Sequence, residues 1–267
     1  MTFSIIVVCR NAGEKLHKTI ESIRRQTEDD YEIIVQDGFS TDGSVEWLAV
    51  RQAGENLKIF REKDTGIYDG MNRAVTHASG RYLFFLNCGD YFEDETVLAR
   101  VKNEIAGANG TKRVRIFYGD IRERTTGALV MSNPKIDDFA CYRNVPCHQA
   151  CFYDKRLLKK RGFRTCYRIR ADYEHFLWCY YRAHASMHYM PLTVASYEGG
   201  GFSEARENKR RSTVEHMHIV RKYMSRGQAF RYGMILLVTL APLRTYLAGN
   251  EATAAFYQKI KRRIYRG

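Results

Sequence analysis

Four short apolar runs, Phe3–Cys9, Tyr31–Val35, Leu57–Phe60 and Arg81–Leu86, alternate with stretches of helical spacing through residues 1–90. The first run is dominated by β-branched residues, Ile5 to Val8, as expected of a parallel strand covered on both faces. Between the runs, Leu16, Ile20 and Ile23 recur at helical intervals, as do Val45, Leu48 and Ala49, and Ile67, Met71, Ala74, Val75 and Ala78. Thr41 or Asp42 can cap the second helix, and Gly80 closes the third. Strand–helix alternation with short connections predicts βαβ units and an α/β fold built on a mostly parallel sheet. In such sheets ligands gather at the carboxyl ends of the strands. Those ends carry Arg10 and Asn11, Asp37, Glu62 to Asp64, and Asn87 to Asp90. Acids converging on that edge point to a metal, to ribose hydroxyls, or to both.

Beyond residue 110 the pattern is less regular. Val114–Tyr118 and a hairpin of Ile121–Glu123 with Ala128–Met131 predict added strands, and an Asn-, Pro- and Asp-rich loop runs from Asn133 to Asn144. Asp172–Ala183 reads as a helix, His188–Ser196 as a strand and Gly199–Gly201 as a turn. From Glu204 the pattern is helical and basic. Of the +13 net charge, residues 205–267 contribute +11, with 14 basic and 3 acidic residues. A near-neutral body with a basic extension is not a uniformly basic nucleic-acid binder; the asymmetry points to a polyanionic partner of the extension. The longest apolar run, Tyr232–Leu243, is shorter than the roughly 20 residues of a spanning helix. The 7 cysteines are odd in number, and Met1–Val8 reads directly into a strand. Free thiols in a reducing compartment are therefore expected. Cys147, His148 and Cys151 raise zinc, but no second ligand pair completes such a site.

Three acids stand out. Asp37 opens Asp37-Gly-Phe-Ser-Thr-Asp-Gly43 after a buried strand. It could accept hydrogen bonds from a base or ribose, or simply build a turn from good turn formers. Asp90 follows the most hydrophobic strand, where a carboxylate is partly desolvated unless a cation pairs with it. Mg²⁺ or Mn²⁺ suits one carboxylate plus phosphate oxygens, so Asp90 is favoured as a metal ligand. Glu93, Asp94 and Glu95 read as the acidic start of the next helix. Asp172 begins a helix after Arg168-Ile-Arg-Ala171, and nearby cations would keep it ionised as a general base requires. Taken alone, the plain N-cap is the better reading. Glu174 is a second candidate, but two residues along a helix it faces elsewhere.

Several segments together carry a resemblance. They are Ser4–Asn11, Ile33–Ser44, Glu62–Val75 (the most specific), Gly80–Asp90, His148–Ala150, Ala171–Tyr173 and Gly199–Ser203. In order and spacing over about residues 1–205 the chain resembles inverting glycosyltransferases of family 2. It is most similar to the subgroup that builds bacterial surface polysaccharides, colanic-acid type. The resemblance implies a GT-A fold, a Rossmann-like mostly parallel sheet flanked by helices, here with a basic helical C-terminal extension. It implies a catalytic domain over 1–204, with a nucleotide-sugar-binding half (1–110), an acceptor-binding half (111–204) and the extension at 205–267. It implies that Cys9, Arg10 and Asp37 border the nucleotide, that Asp64 and the helix start Tyr68–Asn72, with Asp69 and Asn72, line the donor pocket, and that Asn87 belongs to the same pocket. Asp90 would bind the metal (Mn²⁺ or Mg²⁺) on the diphosphate, His148 and Gln149 would lie near donor sugar or acceptor, and Asp172 would be the base. A UDP-sugar is the implied donor, and a glycan or polyprenyl-diphosphate-linked hydroxyl the acceptor.

Two departures matter. The family's Asp-x-Asp is reduced here to Asp90, with Asn87 where the first acid is usual and Gly89 where the next is. Phe39 occupies a position where a small residue is commoner. A weakened metal motif keeps open a non-catalytic sugar-nucleotide binder, and the basic tail keeps open nucleic-acid binding, against which the acidic sheet edge argues. The extension, with Arg206–Arg211, Arg221-Lys222 and Lys259–Arg263 interleaved with apolar residues, reads as an anionic-membrane-surface element. The expected location is the cytoplasm, peripheral on the inner face of the cytoplasmic membrane.

Overall fold

The computed structural model describes residues 1–51, 56–108, 114–199 and 206–238. Its first part runs β1 (Phe3–Cys9), α1 (Glu14–Arg24), β2 (Tyr31–Asp37), α2 (Ser44–Arg51), β3 (Leu57–Arg61), α3 (Ile67–His77) and β4 (Tyr82–Phe85). Next come β5 (Tyr91–Phe92), α4 (Val97–Gly107), β6 (Arg115–Glu123), β7 (Leu129–Val130) and α5 (Asp138–Arg143). A 3₁₀ turn (His148–Ala150), β8 (Cys151–Asp154), α6 (Lys155–Lys160), α7 (Ala171–Tyr181) and β9 (Ser186–Tyr197) follow, and then α8 (Arg206–Tyr223) and α9 (Arg226–Val238).

The strands form one sheet in the order β3-β2-β1-β4-β8-β6-β9-β5, with β7 paired to β6. β3, β2, β1 and β4 are mutually parallel; β8 is antiparallel to both neighbours, β4 and β6. The chain winds one way from β1 to β3 and then crosses back to place β4 on the other side of β1. That reversal opens a crevice at the carboxyl ends of β1 and β4. β1 and β2 hold both faces out of water because helices cover each side. Phe3, Ile5 and Val7 share a core with Leu16, Ile20 and Ile23 of α1. Each such fully buried side chain stabilises the fold by roughly 1.5–3 kcal/mol. On the opposite face α3 approaches so closely at Gly70 that a Cβ there would lie 2.7 Å from Val8 Cγ1. Phe84 of β4 stacks on Phe152 of β8 at 4.4 Å between centroids and so carries the core across the reversal in strand direction.

Two local expectations change. Val114–Tyr118 and Ile121–Glu123 belong to one strand, β6, irregular on either side of Asp120. Gly119 looks like a strand break in sequence, but it lets β6 approach β9, where an added Cβ would lie 2.5 Å from the Leu192 carbonyl. The loop through Asn133–Asn144 contains α5, capped by Asp137, whose carboxylate accepts from Ala140 N at 2.8 Å. All seven cysteines are free thiols.

The chain divides into two compact units, Met1–His216 and Met217–Gly267. The first holds the whole described sheet. In the second, α8 ends and α9 follows; Leu240–Leu247, Lys259–Arg263 and the apolar run beyond Val238 lie outside the described residues, as does Gly200–Ser203 of the glycine turn. Among the described residues no helix is long and apolar enough to cross a membrane.

Candidate active site

The carboxyl edge of the parallel strands gathers the sequence-predicted residues into two groups joined by Cys9. In the first, the loops after β1 and β2 are tied together. Ser40 Oγ accepts from Asn11 N at 2.8 Å, and Asn11 Oδ1 accepts from Thr41 N at 2.8 Å. Asp37 is fully buried. Its carboxylate accepts from Ser40 N at 3.0 Å and Ser40 Oγ at 2.5 Å, and pairs with Arg61 Nε at 3.1 Å. Arg61 also binds Glu46 at 2.8 Å and the Ser40 carbonyl. Asp37 is thus the fastening point of the loop. Phe39 at its tip adopts φ 62° and is half exposed, with the Arg61 guanidinium 5.8 Å from its ring. Asp64 accepts from Gly66 N and lies so near Gly38 that a Cβ there would fall 2.6 Å from Asp64 Oδ2. Arg10 is exposed at the same edge. Cys9 Sγ is 3.8 Å from Asp37 Oδ1, and the Cys88 thiol on its other side, with burial, pushes the Cys9 thiol up.

The second group is a hydrogen-bonded chain across the crevice. Asn87 Nδ2 lies 3.3 Å from His148 Nε2, and His148 Nδ1 lies 3.1 Å from Asp172 Oδ2. An amide nitrogen only donates, so this pattern leaves the ring proton on Nδ1, directed at Asp172. The Tyr68 hydroxyl sits 2.9 Å from Asp172 Oδ1 and 2.8 Å from the Ile169 carbonyl. Burial alone would raise the Asp172 carboxyl, but the hydrogen bonds from His148, Tyr173 N and Tyr68 outweigh it and hold the group below the usual carboxylate value. About a quarter of the side chain, 26 %, still reaches solvent. It is therefore an ionised, oriented and accessible acceptor of protons.

Beside it, Gln149 Nε2 donates to Asp90 Oδ2 at 2.6 Å, and Cys147 Sγ donates to Gln149 Oε1 at 2.5 Å. Asp90 is buried, and burial raises its carboxyl above the ordinary value despite Gln149, His148 and Arg124. A carboxylate in that state is one that a cation would relieve. Among the described residues no three His, Cys, Asp or Glu cluster as a metal cage. Asp90 therefore fits a metal whose other ligands come from the substrate, and Cys147 and Cys151 are engaged in other hydrogen bonds.

Other predicted residues stand apart. Asn72 spends its amide on the Phe163 backbone, donating to the carbonyl and accepting from the N–H, both at 2.8 Å. Asp69 reaches back from the first turn of α3 to accept from Thr65 N at 2.9 Å and pairs with Arg73. Glu174 is buried in a two-point pair with Arg161, away from Asp172. Tyr68 lies inside the most specific motif, at the helix start expected to line the donor pocket, but its hydroxyl instead meets Asp172, a hundred residues away. Two further contributors escape a motif reading. Arg124, held by the Gly89 and Ser196 carbonyls at 2.6 and 2.9 Å, brings a cation toward Asp90. Glu215 of α8 accepts from the N–H groups of Arg168, Ile169 and Arg170, each at 3.0 Å, and so fastens the loop that delivers Asp172.

Comparison with known proteins matches this architecture. The chain is 36% identical over 205 residues to a PGL/p-HBAD biosynthesis glycosyltransferase of Mycobacterium bovis, covering 75% of this chain and 78% of that one. An uncharacterized glycosyltransferase of Mycobacterium tuberculosis is 32% identical over 182 residues, 66% of this chain and 68% of that one. Among solved structures, Staphylococcus aureus TarS in complex with UDP-GlcNAc superposes with TM-score 0.66 at 16% identity, covering 87% of this chain and 70% of that one. The mannosyltransferase PcManGT of Pyrobaculum calidifontis, in complex with GDP-Man and Mn²⁺, gives TM-score 0.66 at 15% identity over 99% of this chain and 87% of that one. These neighbours share the GT-A fold. The model of Glycosyl transferase family 2 matches residues 4–162, and with the relatives above it establishes that this chain belongs to that family and is a glycosyltransferase.

Proposed function

We propose that the chain transfers a sugar, with inversion, from a nucleotide-diphosphate donor to a hydroxyl of a glycan or polyprenyl-diphosphate-linked acceptor in bacterial polysaccharide synthesis. The observation that carries this reading is the Asp172 carboxylate, ionised, a quarter exposed and held from two sides by His148 and Tyr68. In the proposed reaction the acceptor oxygen bonds to the anomeric carbon as the bond from that carbon to the β-phosphate oxygen breaks. Asp172 takes the hydroxyl proton, and the nucleoside diphosphate departs from the opposite face. Proton transfer to a positioned base contributes about 10²–10⁴-fold. His148 fixes one carboxylate oxygen and Tyr68 the other, so the carboxylate's remaining exposed edge is the one that faces the acceptor.

Asp90 would hold Mn²⁺ or Mg²⁺ together with diphosphate oxygens, which supplies neutralisation of the charge that develops on the leaving group. A UDP-sugar is the favoured donor; TarS, which shares the fold, was solved with UDP and with UDP-GlcNAc, whereas PcManGT was solved with GDP-Man. The tied loops around Asp37, Arg10 and Asp64 would receive the nucleoside, with Cys9 between that end and the diphosphate end. A non-catalytic binder has no need of an ionised, solvent-reaching carboxylate aligned by two donors.

Incubating the purified chain with a panel of UDP- and GDP-sugars and Mn²⁺ or Mg²⁺, and following release of the nucleoside diphosphate, tests the reading. One donor should turn over, and Asp172→Asn should lower kcat by about 10²-fold or more. Absence of turnover with every donor, or full activity in Asp172→Asn, refutes it.

A further inference from the structure

We infer that α9 lies in the surface of an anionic lipid bilayer, with the Phe230 side as its inserted face. Five large apolar residues of this helix stand out in water: Phe230 is 72% exposed, Met234 42%, Ile235 37%, Leu237 62% and Val238 72%. At 3.6 residues per turn all but Ile235 fall within an arc of roughly 100°, and Ile235 lies just beyond it. Arg226 lies at one border of that arc and Arg231 at the other, between Val238 and Ile235, both exposed. An apolar arc edged by cations is the pattern of an in-plane helix, whose charged heads reach the headgroups while the stems and the arc enter the acyl boundary. Among the described residues no helix is long and apolar enough to cross a membrane.

Charge selects the occupant. Residues 205–267 carry 14 basic and 3 acidic residues. A second copy laid on the same face would bring two such sets of cations together, whereas anionic headgroups neutralise them. The inference is independent of the reaction proposed above: it concerns where the enzyme sits and makes no use of Asp172 or Asp90.

Co-sedimentation of the full chain with phosphatidylcholine vesicles, with and without phosphatidylglycerol, tests it at low and at physiological salt. Wild type should sediment with the phosphatidylglycerol vesicles and remain in solution with phosphatidylcholine alone. Phe230→Ser with Leu237→Ser should weaken binding by about a hundredfold, since each buried apolar side chain is worth tenfold or more. Arg226→Gln with Arg231→Gln should cost about fivefold per charge and flatten the salt dependence. Donor turnover in vesicle-free buffer should be unchanged in both variants; if the double serine variant does not fold, Phe230→Ala serves, with about tenfold weaker binding. Three results overturn the inference: no sedimentation of wild type with anionic vesicles at low salt, folded serine variants that sediment like wild type, or a wild-type dimer in sedimentation velocity that the serine substitutions dissolve, which would assign the face to a second copy. Failure of donor turnover in wild type would instead count against the reaction, leaving the vesicle result to stand.

Discussion

Replacing Tyr68 by Phe removes one hydroxyl and leaves the ring where it packs, 5.7 Å from Phe163. That hydroxyl donates to Asp172 Oδ1 at 2.9 Å or to the Ile169 carbonyl at 2.8 Å, so the variant deletes a donor to an ionised acceptor. A hydrogen bond to a charged group contributes about 1.5–3 kcal/mol when buried. With 26 % of the Asp172 side chain exposed, water can replace part of it. A loss of about 1–2 kcal/mol remains, which corresponds to a kcat lower by about 5- to 30-fold. The direction of the pH effect follows from the same contact. Tyr68 stabilises the charged form of Asp172, so its loss moves the carboxyl upward and the acid limb of the kcat profile shifts to higher pH. Steady-state kinetics across pH with the donor identified from the panel provide the measurement, and donor KM should change little. A Tyr68→Phe enzyme with kcat within twofold of wild type and an unmoved acid limb would refute the alignment argument; a defect confined to KM would move Tyr68 into donor binding.

Asp90→Asn should abolish metal-dependent donor binding in calorimetry while leaving the metal-free fold as stable as wild type or more so. The wild-type carboxyl is raised by burial, so its ionised form opposes folding at neutral pH and that opposition fades as pH falls through the folded-state value; melting curves of the two proteins should converge in acid. Glu215→Gln leaves one carbonyl oxygen for three N–H donors and turns an amide toward them. It should destabilise by about 2–4 kcal/mol, a Tm lower by roughly 5–10 °C, and reduce kcat with it. Titration with a thiol reagent should label exposed Cys166 first, whereas Cys141, Cys151 and Cys179, buried and with Cys141 pushed up to about 12, should react only on unfolding.

Much of the parallel half was legible because its signals are local. Buried strands announce themselves as β-branched runs, and their ends name the carboxyl edge, so Asp37, Asn87 and Asp90 could be located there from position alone; Asp172, at a helix start outside the parallel half, is singled out only through the family resemblance. What position did not reveal is what each side chain touches. Asp37 stands before an open-looking Gly-Phe-Ser turn, yet it is sealed by Ser40 and by Arg61 from the next strand. Asn72 shares a motif with Tyr68, yet one helical turn separates a residue bound to Phe163 from one bound to Asp172. Asn87 reads as a lost metal ligand, whereas in the fold its amide fixes the tautomer of His148 and through it the carboxylate beyond. Pairings of this kind join residues far apart in sequence, and no periodicity encodes them. Gly119 is a case of the reverse kind, a local breaker signal that tertiary contact with Leu192 overrides.

The Glu215 clasp has a consequence for how the enzyme comes into being. Synthesis proceeds from the N-terminus, and the family match is complete by residue 162, before Asp172 has even been added. The loop that carries Asp172 then has to wait until residue 215 has left the ribosome before its three N–H groups find their carboxylate. The edge formed by the loops after β1 and β2 can therefore be in place on a nascent chain while the loop before Asp172 is still unfastened. A chain cut at the end of the sheet would lose Glu215 and with it the three hydrogen bonds that fasten the loop before Asp172, the base in the reaction proposed above.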